Sequence, residues 1–174
     1  MSVATGAERD RGPISGYAPP EERPPLGSFA ALTTLFNAGF GAALYTAGRR
    51  RQLPERVGAG DVVLIGTASH KLSRLISKDK VTAFIRAPFT EYQGEGGPGE
   101  LEEKVRGRGL RRAIGELIAC PYCLGLWSAA GMHVGLIWAP RTTRVFASTL
   151  TALTISDFLQ IAYKAAEDRG LGED

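Results

Sequence analysis

Long stretches of this 174-residue chain lack charged residues altogether. No Asp, Glu, Lys or Arg occurs in residues 29–48 or 117–139, and residues 145–163 contain only one, Asp157. A helix of about 20 apolar residues is about 30 Å long, enough to cross the hydrocarbon core of a bilayer. The first two runs also lack the polar stripe that buried helices of soluble bundles usually keep. The sequence therefore predicts three transmembrane helices in a multi-pass protein of the cell membrane.

The chain also lacks the signatures of several functional classes. No apolar stretch closely follows Met1, so we expect no signal peptide. The glycines around Arg108 are not followed by the Lys-Ser/Thr of a phosphate-binding loop. Its basic residues are not interleaved with aromatic ones, which argues against nucleic acid as a partner. One intramembrane acid and no internal repeat argue against a transporter.

Composition divides the chain into segments. The N-terminal residues are rich in Gly, Pro and charge, a composition that cannot offset chain entropy. In order along the chain, we expect a disordered polar tail at 1–28, an N-terminal transmembrane helix at 29–48, a core domain at 57–164 and a polar C-terminal tail at 165–174. The core divides into an amphipathic or re-entrant helix at 57–78, a cytoplasmic connector at 79–112 and a transmembrane hairpin at 113–164.

The segment 57–78 has two interpretations. Its uncharged stretch, residues 62–69, is short, and Lys71 and Arg74 follow at helical spacing with apolar neighbours. An interfacial or re-entrant helix would direct these cations toward anionic headgroups. The alternative is a fourth transmembrane helix, whose Lys71 and Arg74 reach the cytoplasmic side. We prefer the first interpretation because basic residues flank the segment on both sides.

The basic clusters also predict an orientation, because Lys and Arg near transmembrane helices favour the cytoplasm. Residues 49–56 hold four Arg and one Glu, and residues 70–112 hold ten Lys/Arg and six Asp/Glu. We therefore expect both segments and the C-terminus inside, with the N-terminal tail and the connection 140–144 outside. Within the connector, residues 88–110 are rich in Gly, Pro and charge, and residues 101–106 are expected to form one or two helical turns. The predicted fold class is all-α, with about three transmembrane helices and one interfacial or re-entrant helix.

Several short motifs occur together in the second half of the chain. They are His70–Ile76, Asp79–Thr82, Arg86–Phe89, Gly115–Leu117, Cys120–Cys123 with Gly125 and Trp127, and Ser156–Leu159. In this order, over about residues 60–164, they resemble the bacterial family called domain of unknown function 1360. The resemblance implies a small helical membrane protein without an established biochemical activity. The N-terminal tail and first transmembrane helix lie outside the usual core of that family.

The most specific chemistry lies in the tetrapeptide that joins Cys120 to Cys123. Pro121 suits the first position of a helix, which makes Cys120 the predicted N-cap, with its sulfur at the positive end of the helix dipole. This placement activates a thiol, and glutaredoxins use the same tetrapeptide. The strand and βαβ framework of those enzymes are absent from the predicted elements here, however. The pair is a candidate redox site, but we expect it to pack as small apolar residues.

A zinc site is a second interpretation of the same cysteines. Zn²⁺ usually takes four protein ligands, and His133 lies about 15 Å farther along the predicted helix, too far to join the pair. His70 or a second subunit would have to complete the site. We therefore predict no cofactor.

Charged residues in and near the apolar runs form the other candidate site. Asp157 and Glu116 are costly at membrane depth unless they are paired. The available cations are Lys71, Arg74, Arg86 and Arg112. We expect structural pairing between helices rather than an ion path. The polar residues singled out as structural or functional candidates are Lys71, Arg74, Asp79, Arg86, Glu116 and Asp157.

Two functional classes remain open at this point. We expect a non-enzymatic scaffold or interaction protein whose basic cytoplasmic loop binds anionic headgroups, a membrane protein partner or a second copy of the chain. The alternative is a small membrane thiol-redox or metal-dependent factor that uses Cys120 and Cys123.

Overall fold

The computed structural model describes residues 16–19 and 23–170. The rest of the predicted tail 1–28 and the last four residues of 165–174 lie outside the described part. Within it, the elements are α1 Leu26–Arg49, α2 Ala59–Ser77, a 3-10 helix Lys80–Thr82, α3 Ala83–Arg86, β1 Thr90–Glu95, β2 Leu101–Val105, α4 Gly109–Ala119, α5 Pro121–Trp138 and α6 Pro140–Gly170. The predicted polar tail at 165–174 is therefore helical as far as Gly170.

Two helices are long and apolar enough to cross a membrane, α1 and α6, and the pair α4–α5 makes a third if it counts as one span. That pair bends by 82°, and the bend falls at Cys120, whose backbone is extended. The cause is Pro121, because proline has no N–H to continue the helix and disfavours a helical residue before it. The runs 29–48 and 145–163 thus fall within α1 and α6, whereas the run 117–139 is divided between the end of α4 and α5.

Helix α2 lies at the centre of the bundle and packs along both α5 and α6. It is one unbroken helix of 19 residues, and its position relative to a bilayer stays a prediction. The apolar core that it shares with the other two helices consists of Ile65, Ala68, Met132, Ala147 and Leu150. The small residues in this set let the helices approach closely.

Contacts along the helices fix their relative directions. Asp61, in the first turn of α2, pairs with Arg144 near the start of α6 (Nη2–Oδ2, 2.9 Å), and Lys71 pairs with Asp157 farther along both helices (Nζ–Oδ2, 2.8 Å). Helices α2 and α6 therefore run parallel. The guanidinium of Arg50, just after α1, lies 5.1 Å from the ring of Trp138, the last residue of α5. Helix α1 thus ends where α5 ends.

This arrangement gives the bundle two distinct ends. The arginine end holds residues 49–56 and the start of α6. The opposite end holds the end of α2, strands β1 and β2, and α4, and we call it the hairpin end after the hairpin that the two strands form. The sequence predicts that 49–56 and 70–112 both lie in the cytoplasm, and this orientation stays a prediction. Helix packing places the two basic segments at opposite ends of the bundle.

The all-α prediction is corrected by a two-stranded antiparallel sheet, β1–β2. Residues 101–106, expected as a helical turn, instead form β2 and the residue that follows it. The half-buried residues Leu101, Glu103 and Val105 alternate with exposed ones, the period of a strand with one covered face. We call residues 80–105 the hairpin module.

Gly115 of α4 lets the hairpin module approach that helix closely. A Cβ at this position would lie 2.7 Å from Cγ1 of Val105 and 3.1 Å from the carbonyl oxygen of Phe89. Any larger residue would therefore push β2 and the start of β1 away from α4.

Candidate functional site

Arg86 is fully buried at the hairpin end. Its guanidinium forms an ion pair with Glu103 of β2 and donates to the carbonyl oxygens of Ile76 (2.7 Å) and Asp79 (3.2 Å). These carbonyls lie at and just beyond the C-terminal end of α2, where a helix leaves acceptors without intrahelical partners. Arg86 therefore caps α2 and fixes the hairpin module to it at the same time.

Two threonines complete the surroundings of Arg86. Thr90 Oγ1 lies 2.9 Å from the carbonyl oxygen of Arg86 and 3.0 Å from Glu103 Oε1. Thr82 Oγ1 accepts from Nη1 of Arg86 (3.2 Å) and donates to the carbonyl oxygen of Leu75. Because this charge is buried and well partnered, its place in the structure is that of a clamp and not of a ligand-binding group.

A cleft of about 800 Å³ opens beside this clamp. It lies between the end of α2, α6 and the hairpin turn, which is the segment 96–100 that joins β1 to β2. We call it the polar cleft. Four of the six polar residues singled out from the sequence line it: Lys71, Arg74, Asp79 and Asp157. Lys71 is paired with Asp157, and Arg74 is paired through Nη2 with Glu100 of the hairpin turn. The structure thus gathers residues from 70–100 and from α6 into one site.

The hairpin turn is held against the end of α2 by backbone hydrogen bonds. The N–H of Leu101 donates to Lys78 O and the N–H of Lys80 to Gly99 O, both at 2.9 Å. Gly99 has a φ of +77°, a conformation that glycine adopts at little cost. These bonds place Glu100 over the last turns of α2, where it meets Arg74.

Asp79 differs from the other acids of the polar cleft. Its carboxylate is half-buried and, among the described residues, it has no side-chain hydrogen bond or ion pair. Burial raises the pKa of Asp79, and the nearby charge of Lys71 opposes that shift. The residue is therefore an acid inside a mixed-charge cleft, available to a ligand that donates hydrogen bonds or carries positive charge.

The two remaining candidates lie elsewhere. Arg86 touches the cleft only through the backbone of Asp79. Glu116 pairs with Arg112 one turn earlier in α4 (Nε–Oε1, 2.7 Å), and Arg112 also reaches the carbonyl oxygen of Arg23 at 3.4 Å, ahead of α1. Both acids are paired, but only the Lys71–Asp157 pair joins two helices, since Glu116 and Arg112 lie in the same helix.

Sequence reasoning missed Glu100 and Glu103, the partners of Arg74 and Arg86. Both lie in a segment whose Gly, Pro and charge content is typical of a linker. The available signal was the alternation Leu101, Glu103, Val105 after a glycine-rich turn, which is the pattern of the second strand of a hairpin.

The prediction for Cys120 as an N-cap is confirmed. Its Sγ accepts from the backbone N–H of Cys123 at 3.3 Å, and Pro121 occupies the first helical turn. Both cysteines are free thiols. In residues 16–19 and 23–170, no group of three or more His, Cys, Asp or Glu side chains could hold a metal ion. The ring of His133 lies against its own helix, with Nδ1 2.9 Å from Ala129 O.

Comparison with known proteins identifies a family and two curated relatives. The model of a family described as protein of unknown function (DUF1360) matches residues 64–163. The chain is 37% identical over 71 residues to sporulation protein YjcA of Bacillus subtilis (strain 168), a match that covers 39% of this chain and 60% of YjcA. It is 31% identical over 80 residues to UPF0713 protein YngL of the same organism, covering 45% of this chain and 59% of YngL.

These matches leave part of each protein unmatched. The chain spans about three fifths of the length of the two curated relatives. No solved structure matches it. The family match begins inside α2, so α1 lies outside it, as the resemblance in the sequence implied.

Proposed function

This chain belongs to the DUF1360 family of proteins of unknown function, and we propose that it is a multi-pass integral protein of the cell membrane that acts as a non-enzymatic scaffold. The observation that carries the proposal is the distribution of side chains. Large apolar residues lie exposed along the helices, whereas charged residues collect at the two ends. The hairpin end is the part that meets lipid headgroups and partners.

The exposed apolar surface supports membrane crossing. In the most apolar 18-residue segment of α1, none of the residues is buried inside the protein. In the corresponding segment of α6, only 17% of the residues are buried. Leu35, Phe146 and Ile155 expose 62%, 49% and 55% of their surface. A soluble protein rarely exposes so continuous an apolar surface, whereas lipid covers it at no cost.

The packing of α2 supports a fourth crossing. It is paired with α6 from Asp61, near its start, to Lys71, three turns later. At about 1.5 Å per residue its 19 residues are about 28 Å long, close to the thickness of the hydrocarbon core. If α5 and α6 cross a bilayer, α2 crosses between them, and its polar groups meet helix partners instead of lipid.

The charge distribution supports a cytoplasmic hairpin end. Residues 70–112 contain ten Lys/Arg. The arginine end holds six, Arg49, Arg50, Arg51, Arg56, Arg141 and Arg144. With four crossings and the larger basic group inside, both chain termini lie in the cytoplasm and the arginine end lies outside.

A scaffold role fits the surface of the hairpin end. Val81, Phe84 and Ile85 are exposed apolar residues on the 3-10 helix and α3, next to the charged strands. They provide contact area for a membrane protein partner or a second copy of the chain, and the surrounding Lys and Arg attract anionic headgroups. The alternative redox or metal function gains no support from the comparisons, and no group of three or more His, Cys, Asp or Glu side chains in the described part could hold a metal ion.

Carbonate extraction of membranes tests the location. The full-length protein should stay in the pellet after a carbonate wash and dissolve only in detergent. Recovery in the carbonate supernatant would refute the membrane assignment.

Single-cysteine labelling in a chain that lacks Cys120 and Cys123 tests the topology. An impermeant maleimide added to intact cells should label Gln52→Cys and should label Gly97→Cys only after permeabilisation. Protection of both positions would indicate three crossings with both basic segments inside. Labelling of Gly97→Cys in intact cells would refute a cytoplasmic hairpin end.

A further inference from the structure

The polar cleft holds more charged groups than its ion pairs use. Lys71 and Asp157 satisfy each other, and Arg74 bonds Glu100 through one nitrogen, Nη2. Arg74 is 43% exposed, and its Nε and Nη1 donate to no described residue. Nη1 lies on the Cδ side of the guanidinium and the Nε–H on the opposite side, so each can donate a separate hydrogen bond to an anion such as a phosphate or carboxylate.

Two other residues of the cleft carry opposite charges without ion pairs in the described part of the chain. Asp79 is the half-buried acid, and Lys164 is an exposed cation on α6 that lines the same cleft. An anion alone would complement Arg74 and Lys164 but would face three carboxylates. A cation alone would complement Asp79 and face the basic groups. A ligand that carries both charges complements the whole cleft.

The cleft also has an apolar side. Phe158 and Ile161 of α6 line it and are 64% and 66% exposed. From Pro140, Asp157 lies about 26 Å along α6, close to the full thickness of a hydrocarbon core. In the membrane placement proposed above, on which this inference rests, the cleft lies at the level of the headgroups with its apolar side toward the acyl chains.

We propose that the polar cleft binds one phospholipid whose headgroup joins a phosphate to a primary ammonium. The phosphate accepts hydrogen bonds from Arg74 and meets the charge of Lys164. The ammonium donates to the carboxylate of Asp79, which gains the counter-charge that the chain itself does not bond to it. The glycerol and the first acyl carbons lie against Phe158 and Ile161.

The test uses the purified full-length protein in detergent, with lipid retention read by native mass spectrometry. Phosphatidylethanolamine and phosphatidylglycerol with the same acyl chains are added at equal concentration. We expect one retained phosphatidylethanolamine and a clear preference for it over phosphatidylglycerol. Equal retention of the two lipids by the unchanged protein would overturn the proposal.

Variants assign the two halves of the headgroup. Asp79→Asn should weaken retention of phosphatidylethanolamine by about tenfold, the value of one charge-assisted hydrogen bond, and remove the preference. Lys164→Gln changes an exposed residue and leaves the ion pairs Lys71–Asp157 and Arg74–Glu100 intact. It should weaken the retention of both lipids. Glu91→Gln, which removes an exposed acid on β1 outside the cleft, is the matched control and should change neither. An Asp79→Asn protein that keeps the preference would refute the ammonium site.

Free phosphoethanolamine distinguishes a lipid from a soluble ligand with the same chemistry. At the concentration at which the lipid is retained, it should displace none of it, because it lacks the apolar part that meets Phe158 and Ile161. Equal competition would overturn the assignment to lipid. A protein that resists carbonate and shows the expected labelling but has no lipid preference refutes this site alone, whereas a carbonate-soluble protein refutes the membrane assignment itself.

Discussion

The hairpin module and the helical bundle are stabilised by different interactions. The bundle core consists of apolar residues, two of them alanines, around Ile65 of α2. The largest fully buried side chain of the hairpin module is Arg86, a cation that is paired with Glu103 and with helix-end carbonyls. Helices surrounded by lipid gain little from hydrophobic burial and need close packing. If the hairpin module lies at the water boundary, as proposed above, one partnered buried charge can fix it instead.

The largest effect expected from this comparison is the loss of the Arg86 clamp. Arg86→Met should lower the free energy of unfolding by about 3–5 kcal/mol, because Glu103 and the carbonyls at the end of α2 lose their partner. Adding Glu103→Leu should restore part of the loss. Denaturant unfolding in detergent and protein abundance in membranes measure both.

Arg56→Met is the control for this change. Arg56 is exposed at the arginine end, so its replacement should change the free energy of unfolding by no more than about 0.5 kcal/mol. Equal stability of the Arg86 and Arg56 variants would show that the hairpin module does not depend on its buried charge.

The contact between the two regions gives the next largest effect. Gly115→Ala should cost about 1–3 kcal/mol, since the added methyl group would overlap Val105 and approach Phe89 O. Gly125→Ala in α5 is the matched control, because nothing lies within 4 Å of its Cβ position. It should be neutral or slightly stabilising through helix propensity. Thermal unfolding of the two variants side by side measures this difference. If Gly115→Ala were neutral, the close contact between α4 and the hairpin module would not contribute to stability.

Removal of Lys71, a charged residue within the bundle, should lower the free energy of unfolding less than removal of Arg86. Lys71 is 14% exposed but Asp157 is 46% exposed, so water screens the acid that Lys71→Met leaves behind. We expect a loss of about 1–2 kcal/mol, between the values for surface and buried pairs. Lys71→Arg should retain most of the stability. A loss as large as that of Arg86→Met would mean that the bundle also depends on buried charge.

Asp79→Asn should produce a smaller effect of opposite sign and with a pH dependence. Burial raises the pKa of Asp79, so its ionised form weakens the fold, and the amide should raise the melting temperature at pH 7. This gain disappears as the pH falls below the ordinary Asp value of about 3.9, where both states are protonated. Lys71, Arg74, Glu100 and Asp157, the charges that act on Asp79, are unchanged in the variant.

Glu95→Gln provides the reverse case at the same end. A hydrogen bond from Lys80 lowers the pKa of this exposed carboxyl group, so its replacement should slightly lower the melting temperature above the ordinary Glu pKa and have no effect well below it. Melting curves across pH 3 to 8 that move in the same direction for both variants would contradict these assignments.

The smallest effect is expected for the cysteines. Cys120→Ser keeps a capping acceptor and should be nearly neutral, whereas Cys120→Ala should cost under about 1 kcal/mol. Replacing Cys123 as well should add little. Complementation and membrane abundance of the double variant separate structure from chemistry, because normal abundance with lost complementation would revive the redox interpretation.

The predictions from sequence that succeeded depend on patterns among neighbouring residues. Runs without charge identified α1, α5 and α6 because helix composition is a property of neighbouring residues. Pro121 located the cap at Cys120 for the same reason. The pairing of an intramembrane acid was predicted from its cost alone, but the choice of Lys71 among four cations depends on the relative directions of α2 and α6.

The failures concern contacts between distant residues. The glycines and charges of the hairpin module are typical of linkers and predict a connector, whereas its attachment to α2 depends on Arg86 and Glu103, 17 residues apart. The polar cleft combines residues from α2, the hairpin turn and α6, so no single segment contains its pattern. Charge counts alone also do not place 49–56 and 70–112 at opposite ends of the bundle, because both segments are basic.

The central position of α2 has a consequence for the order of synthesis. The helices that cover it, α5 and α6, leave the ribosome after it, and about 3–12 s separate the ends of α2 and α5 at 5–20 residues per second. Helix α2 is not among the helices apolar enough to cross alone. We therefore expect it to wait at the insertion machinery until its partners arrive, while the hairpin module, already complete, closes on its end through Arg86.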